Sequence, residues 1–299
     1  MKKRRAALAP RIPVQLTQVT TADDVVLAGI MVEPKGRKNV ALIWLHGLTS
    51  SFDSGQALIG QLSVACQSMG IGYLKFNTRG HHLVTHGLSS KRQPYLGATH
   101  ERFRDSVKDI QAMISFARRL GYKKIILAGH STGAQKALYY ATQTKDRNVV
   151  AVLLAGAASD IAGEFCSLTG QQLLRRVAIA RRRAKSQPHA LVPASWGPWS
   201  NQRYVSLFTP GSIEEVFPYH ELGGSWKVLR ANSIPALFVS GEHDQYLTMP
   251  IQKFFELIAS EARATSQLTC VAIPKADHGF HGQEKQLVTV IREWLTTVV

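Results

Sequence analysis

Six short runs of β-branched and aromatic residues, VALIWL (40–45), IGYLKF (71–76), KIILA (124–128), VVAVLLA (149–155), PALFVS (235–240) and LTCVAI (268–273), carry almost no polar residue. A strand with one wetted face alternates polar and apolar side chains, whereas a strand covered on both faces loses that alternation, as in parallel sheets sandwiched between helices. The intervening segments supply the helices. Phe103, Val107, Ile110, Ile114 and Ala117 recur at helical spacing within 101–120, and Phe254, Phe255 and Ile258 do so within 251–262. The alternation predicts an α/β class chain with a mostly parallel twisted sheet and helices on both faces. Two earlier runs, 14–19 and 25–32, are separated by the turn-like TTADD and predict an antiparallel hairpin leading into that sheet.

The alternation lapses between about residues 158 and 232, where an arginine-rich helical segment leads into PHALVPASWGPWSNQRY. Such a stretch is longer than a connecting loop. Placed after the sixth strand, it predicts a lid insertion over the sheet's carboxyl end, where sites of doubly wound sheets form. The 299 residues then divide into a core, 1–157 and 233–299, interrupted by the insertion at 158–232.

Directly after KIILA stands Gly129-His130-Ser131-Thr132-Gly133, followed by the Ala-rich AQKALYYA. G-x-S-x-G between strand and helix is the pattern of a nucleophile elbow, in which the glycines permit a tight, strained turn. The competing reading makes Ser131 an ordinary N-cap of the following helix. A serine hydroxyl is a poor nucleophile without a base, so the first reading requires an acid and a histidine later in the chain, in that order. GEHDQY after PALFVS offers Asp244, and PKADHGF after LTCVAI offers His278. Glu242 is a rival acid, and His243 and His281 are rival bases; Asp277, adjacent to the histidine it would orient, is read as structural. Two backbone amides must meet the developing oxyanion. Thr132 offers one and Leu48, after His46-Gly47, the other, with His46 read as bracing its loop.

The motifs LIWLHGLTSS, FNTRGHH, GHSTG, SGEHDQY and ADHGF, in this order over residues 42–280, resemble those of the α/β-hydrolase superfamily. The longer stretches YKKIILAGHSTGAQKALYY, RYVSLFTPGSIEEVFPY and ADHGFHGQE resemble a bacterial group of alpha/beta-fold esterases, related at a distance to fungal esterases that open fusarinine siderophores. The resemblance implies an α/β-hydrolase fold, a Ser131–Asp244–His278 triad with Leu48 and Thr132 as oxyanion donors, and hydrolysis of a carboxylic ester through an acyl-enzyme. Thioester, amide and C–C bonds, or acyl transfer to an alcohol, use the same apparatus. Serine at the elbow weighs against dehalogenase and epoxide-hydrolase chemistry, which in this superfamily uses aspartate there.

Charge sets the remaining expectations. Lys and Arg number 36 against 20 Asp and Glu, a net charge of +16, concentrated in KKRR at 2–5 and RRVAIARRRAK at 175–185. Such an excess concentrates anions, so a small-molecule ester that is anionic or bulky is the expected substrate. The helix around 171–185, with Leu173, Leu174, Val177 and Ile179 among basic residues, reads as a solvated lid helix, with weak contact to an anionic membrane surface as the alternative. A basic binding protein for nucleic acid or acidic lipid is the competing function class, but the clusters lack the aromatic spacing of a base-stacking platform. NTRGHHLVTHG, with Asn77, Arg79, His81, His82 and His86, has no carboxylate nearby and reads as a cleft-lining loop rather than a metal site; Arg79 is either a partner for a substrate carboxylate or, as the resemblance to the superfamily implies, the residue that holds the loop. No cofactor is expected. Cys66, Cys166 and Cys270 have no paired spacing and suit a reducing cytoplasmic compartment, and the N-terminal basic stretch is too short in apolar residues for a signal peptide. Trp196, Trp199 and Trp226 are expected to line the substrate pocket, the alternative being a small core of the insertion itself.

Overall fold

The computed structural model describes residues 13–36, 38–87, 89, 95–165 and 167–299. The basic cluster at 2–5 and Cys166 lie outside the described residues. Eight strands, β1 (Gln15–Thr20), β2 (Val26–Val32), β3 (Val40–Leu45), β4 (Ile71–Phe76), β5 (Lys124–His130), β6 (Val149–Ala155), β7 (Ala236–Gly241) and β8 (Leu268–Ile273), form one sheet. Its order is β1-β2-β4-β3-β5-β6-β7-β8. β1 pairs antiparallel with β2, and β2 antiparallel with β4, while β3 to β8 run parallel to one another. Residues 85–86 and 95–96 make a separate two-stranded ladder.

Why the central strands lack polar alternation is visible in how their side chains divide. Along β3, Ala41, Ile43 and Leu45 enter one core and Leu42 and Trp44 the other. The first core is closed by α2 (Ser106–Arg119), α3 (Thr132–Thr144) and α8 (Ile251–Glu261), which supply Ile110, Met113, Ala137, Leu138 and Phe254. The second is closed by α1 (Gln56–Ser68) and α9 (Glu284–Val298), which supply Leu62, Cys66, Leu287, Ile291 and Leu295. Every side chain of β3 is therefore buried, and each such aliphatic residue contributes about 1.5–3 kcal/mol of transfer free energy. No described helix is long and apolar enough to cross a membrane.

Between β6 and β7 run α4 (Asp160–Glu164), α5 (Gly170–Ala184), α6 (Asn201–Phe208) and α7 (Lys227–Arg230). Ile161, Leu173, Val177, Ala180, Val192, Tyr204, Leu207 and Phe208 pack into a third, smaller core of their own. α5 starts on a capping box, the Thr169 hydroxyl accepting from the Gln172 amide while the Gln172 side chain accepts from the Thr169 amide.

This segment is fastened to the loop at 98–101. Arg203 Nε donates to Ala98 O (2.9 Å), the Ser200 amide to Thr99 O (3.1 Å), Thr99 Oγ1 to Pro198 O (2.7 Å) and Gln202 Nε2 to His100 O (3.3 Å). Glu101 completes the row by accepting from Arg203 Nη2 (3.0 Å) and from Lys136 Nζ on α3 (2.8 Å). Arg203 Nη1 meets Glu214 at 2.6 Å. All four charged side chains are essentially inaccessible to solvent.

Arg79 holds its loop, as expected. Its guanidinium pairs with Asp109 (2.8 Å) and Asp23 (2.9 Å), and Asp109 also accepts from the Arg79 amide. No group of three or more metal-ligating side chains occurs among the described residues.

Candidate active site

The six parallel strands all end at one edge, and each predicted functional residue sits in the first turns beyond it. Ser131 follows β5 directly, with φ 56° and ψ −125°, a backbone conformation that a non-glycine residue adopts only when its surroundings impose it. The surroundings are the two glycines. A Cβ on Gly129 would lie 2.1 Å from Gly133 O, and one on Gly133 would lie 2.3 Å from Leu45 O, so only glycine lets β5, α3 and β3 approach this closely. The Ser131 side chain makes no capping hydrogen bond to α3. Ser131 thus stands at the N-cap position of α3 while its hydroxyl is not spent on the helix.

His278 stands in the loop after β8 and Asp244 in the loop after β7. His278 Nδ1 donates to the Asp244 carboxylate at 2.9 and 3.0 Å, with the Asp244 side chain wholly buried. This fixes the proton on Nδ1 and leaves Nε2 as the basic nitrogen. The Tyr246 amide donates to Asp244 Oδ1 (2.9 Å), and Gln245 Oε1 accepts from the His278 amide (3.1 Å), so the acid loop grips the histidine loop at both backbone and side chain. Two of the three rivals, Glu242 and His281, are engaged elsewhere. Glu242 accepts from the Lys275 amide (3.0 Å), and Asp277 pairs with His281 (2.8 Å), in line with a structural role for Asp277.

The family model described as a protein of unknown function, DUF1749, matches residues 10–298. The chain belongs to that family. No curated protein matches its sequence. Among solved structures the DUF1749 chain is similar to Est1E from Butyrivibrio proteoclasticus with ferulic acid bound (TM-score 0.63, 15% identity, 94% of this chain and 98% of that one). It is also similar to carboxylesterase CesB from Bacillus subtilis (0.57, 17%, 96% and 92%) and to alpha/beta hydrolase domain-containing protein 10 from mouse (0.59, 15%, 95% and 100%). At such identities the likeness is one of fold, and the fold is that of the α/β-hydrolases.

In the DUF1749 chain, Ser131 and His278 line a single cavity of about 490 Å³. Leu48, Thr49 and Ser50 from the loop after β3 form part of its wall, and Trp199, Leu207 and Phe208 come from the 158–232 segment. The amides of Leu48 and Thr132 donate to no other described group. His46 braces the Leu48 loop, as expected, with Nδ1 donating to Gly47 O (2.8 Å) and Nε2 accepting from the Thr78 amide (3.0 Å). Burial, and then the nearby Lys136 charge, push His46 down to about 3, so it stays neutral.

Of the tryptophans expected in the pocket, only Trp199 lines this cavity. Trp196 packs on the small core of its own segment, against Tyr204, with Arg176 over its ring, and Trp226 is buried in the main core. Trp196 is taken up by the interior that the segment builds for itself, and Trp226 by the main core.

Three further residues shape the site without having drawn notice in the sequence. His130 Nε2 donates to His278 O (2.7 Å), and burial followed by the His278 charge lowers His130 to about 4, so no second cation forms beside the base. The variable position before Ser131 could have signalled it. Tyr219 accepts from the Ser159 amide (3.0 Å) and donates to Tyr246 O (3.1 Å), tying the 158–232 segment to the acid loop. Asp160 lines the cavity, and its carboxyl is pushed up to about 6, chiefly by burial and then by Glu214.

The Asp160 shift fixes the sign of a stability effect. An unfolded aspartate titrates near ~3.9, so the folded state disfavours the ionised form, and stability is lost as pH rises through about 6. Asp160→Asn is expected to melt above the wild type at pH ~8, with the difference gone near pH ~4, as read by thermal unfolding at both pH values.

Proposed function

We propose that the chain is a serine hydrolase that cleaves a carboxylic ester through an acyl-enzyme. The observation that carries this reading is the meeting, in one cavity, of a strained and uncapped Ser131 with a His278 whose Nδ1 is held by buried Asp244. In the mechanism, His278 Nε2 takes the Ser131 proton as Oγ attacks the carbonyl carbon. The free amides of Leu48 and Thr132 receive the oxyanion as it forms, where fixed donors act most strongly. His278 then passes its proton to the departing alcohol oxygen, and water, activated by the same nitrogen, releases the acid and restores Ser131. Asp244 keeps the tautomer and steadies the imidazolium.

Supporting the reading, the solved structures of the same fold include esterases, one with an aromatic acid bound. The cavity, walled in part by Trp199, Phe208 and Tyr246, has room for a substrate of that order. Residues 158–232 serve in this reading as the cap that closes one side. Thioester, amide and acyl-transfer chemistry would run on the same groups.

The test is covalent. An uncharged fluorophosphonate is expected to add one phosphonyl group per chain, with peptide mass spectrometry placing it on Ser131 and Ser131→Ala taking none. Failure of the wild type to react would sink the acyl-enzyme reading and move the basic binding protein ahead of it.

A further inference from the structure

The surface charge and the cavity charge have opposite signs. Against a net charge of +16, none of the described residues lining the cavity of Ser131 is a lysine or arginine, and the wall carries two carboxyls, Asp160 and Glu164. Glu164 has the Arg176 charge acting on it. Arg203 and His278 act on Asp160 in the same way, but among the described residues it forms no salt bridge, and the hydrogen bond it accepts is from Gln135 Nε2, at 3.4 Å.

The charges behind Asp160 are already matched. Arg203 and Lys136 are the buried cations there, and Glu101 and Glu214 the buried anions. Arg203 divides its donors among Ala98 O, Glu101 and Glu214, and Lys136 gives its ammonium to Glu101 and Thr78. Two positive charges meet two negative ones, which leaves the Asp160 carboxylate as a surplus anion at the cavity wall. A desolvated ion without a matched counterion either takes a proton or acquires a partner. Gln135, buried beside it, keeps Oε1 without a hydrogen-bond partner among the described residues, a second acceptor in need of a donor.

Resting on the hydrolase reading above, we propose that Asp160 anchors a cationic group of the substrate, so that this cavity selects esters carrying an ammonium near the scissile bond. The expectation of an anionic substrate drew on total charge, which is spread over the surface. The local charge at Ser131 favours the opposite sign. Substrate would supply the missing counterion, and the ionised anchor would be stabilised by the ligand it holds.

The groups that act on Asp160 are Glu214, Arg203, Gln135 and His278. Because His278 also carries the proton in the proposed chemistry, the readout is a ratio in which its contribution cancels. Choline hexanoate and neohexyl hexanoate differ only in N⁺ against carbon and place the charge on the alcohol side. A trimethylammonio-alkanoate ethyl ester and its neo-alkyl counterpart place it on the acyl side. In at least one pair the wild type is expected to favour the cation in kcat/KM by about 10- to 100-fold near neutral pH, the low end of the range for a close charge pair. That preference is expected to fall toward unity below pH ~6 as Asp160 takes a proton. Asp160→Asn, expected to melt no lower than the wild type, should lose the preference, and Asp160→Glu should restore part of it. Ratios near one in both pairs, or a ratio unchanged in Asp160→Asn, overturn the anchor while ester turnover itself upholds the hydrolase reading. No turnover of any of the four esters, with no phosphonate on Ser131, overturns both.

Discussion

Ser131→Ala is expected to lower kcat on p-nitrophenyl acetate through octanoate by about 10⁴- to 10⁶-fold, the range seen when a triad nucleophile is removed. Among the described residues the hydroxyl has no hydrogen-bond partner: it does not cap α3 and sits on a turn whose shape is imposed by Gly129 and Gly133. The variant should therefore keep the wild-type melting temperature, and the lost rate can be read as lost chemistry. A small residual rate is expected, since the Leu48 and Thr132 amides still offer charge to an oxyanion attacked by water. Asp244→Asn should cost about 10⁴-fold through a different route, by turning the His278 tautomer so that Nε2 carries the proton. Wild-type rates in Ser131→Ala would show that the observed hydrolysis belongs to another group.

The largest loss of stability is expected from Arg203→Met. Arg203 is fully inaccessible and is the point where Glu101 of the core and Glu214 of the inserted segment share one cation. Methionine fills much of the volume but leaves two buried carboxylates facing Lys136 alone. Removing one partner of such a buried network costs about 3–5 kcal/mol, a fall in melting temperature on the order of 10 °C for a domain of this size. Adding Glu214→Gln removes one stranded charge and should recover part of the loss, which distinguishes charge imbalance from a packing defect. A wild-type melting curve for Arg203→Met would mean that water reaches these carboxylates.

Local pattern carried most of the fold. Runs such as VALIWL and LTCVAI coincide with β3 and β8 because burial on both faces writes itself into consecutive residues. The three residues proposed as nucleophile, acid and base share a local sign, since each follows the end of a strand, and strand order brings those ends together. What stayed hidden depends on pairs far apart in the chain. Nothing in GAASD marks Asp160 as a cavity carboxyl, since its exposure and its neighbours Glu214 and Arg203 are set by how the 158–232 segment folds back. Arg203 reads as one more basic residue until Glu101, about a hundred positions earlier, is seen against it. The tryptophans misled because aromatic rings suit a pocket wall and a miniature core equally well, and only packing decides between them.

The row of bonds from residues 98–101 to the 158–232 segment, together with Tyr219 bridging to the Asp244 loop, makes that side of the cavity wall a fixture. Swinging it aside would break backbone bonds and a sealed ionic cluster in the same movement. Trp199, Leu207 and Phe208 thus meet the cavity of Ser131 from a segment that is held in place. In the proposed hydrolase, a wall fixed in this way is expected to sort substrates by girth, with no door for an oil–water interface to push open.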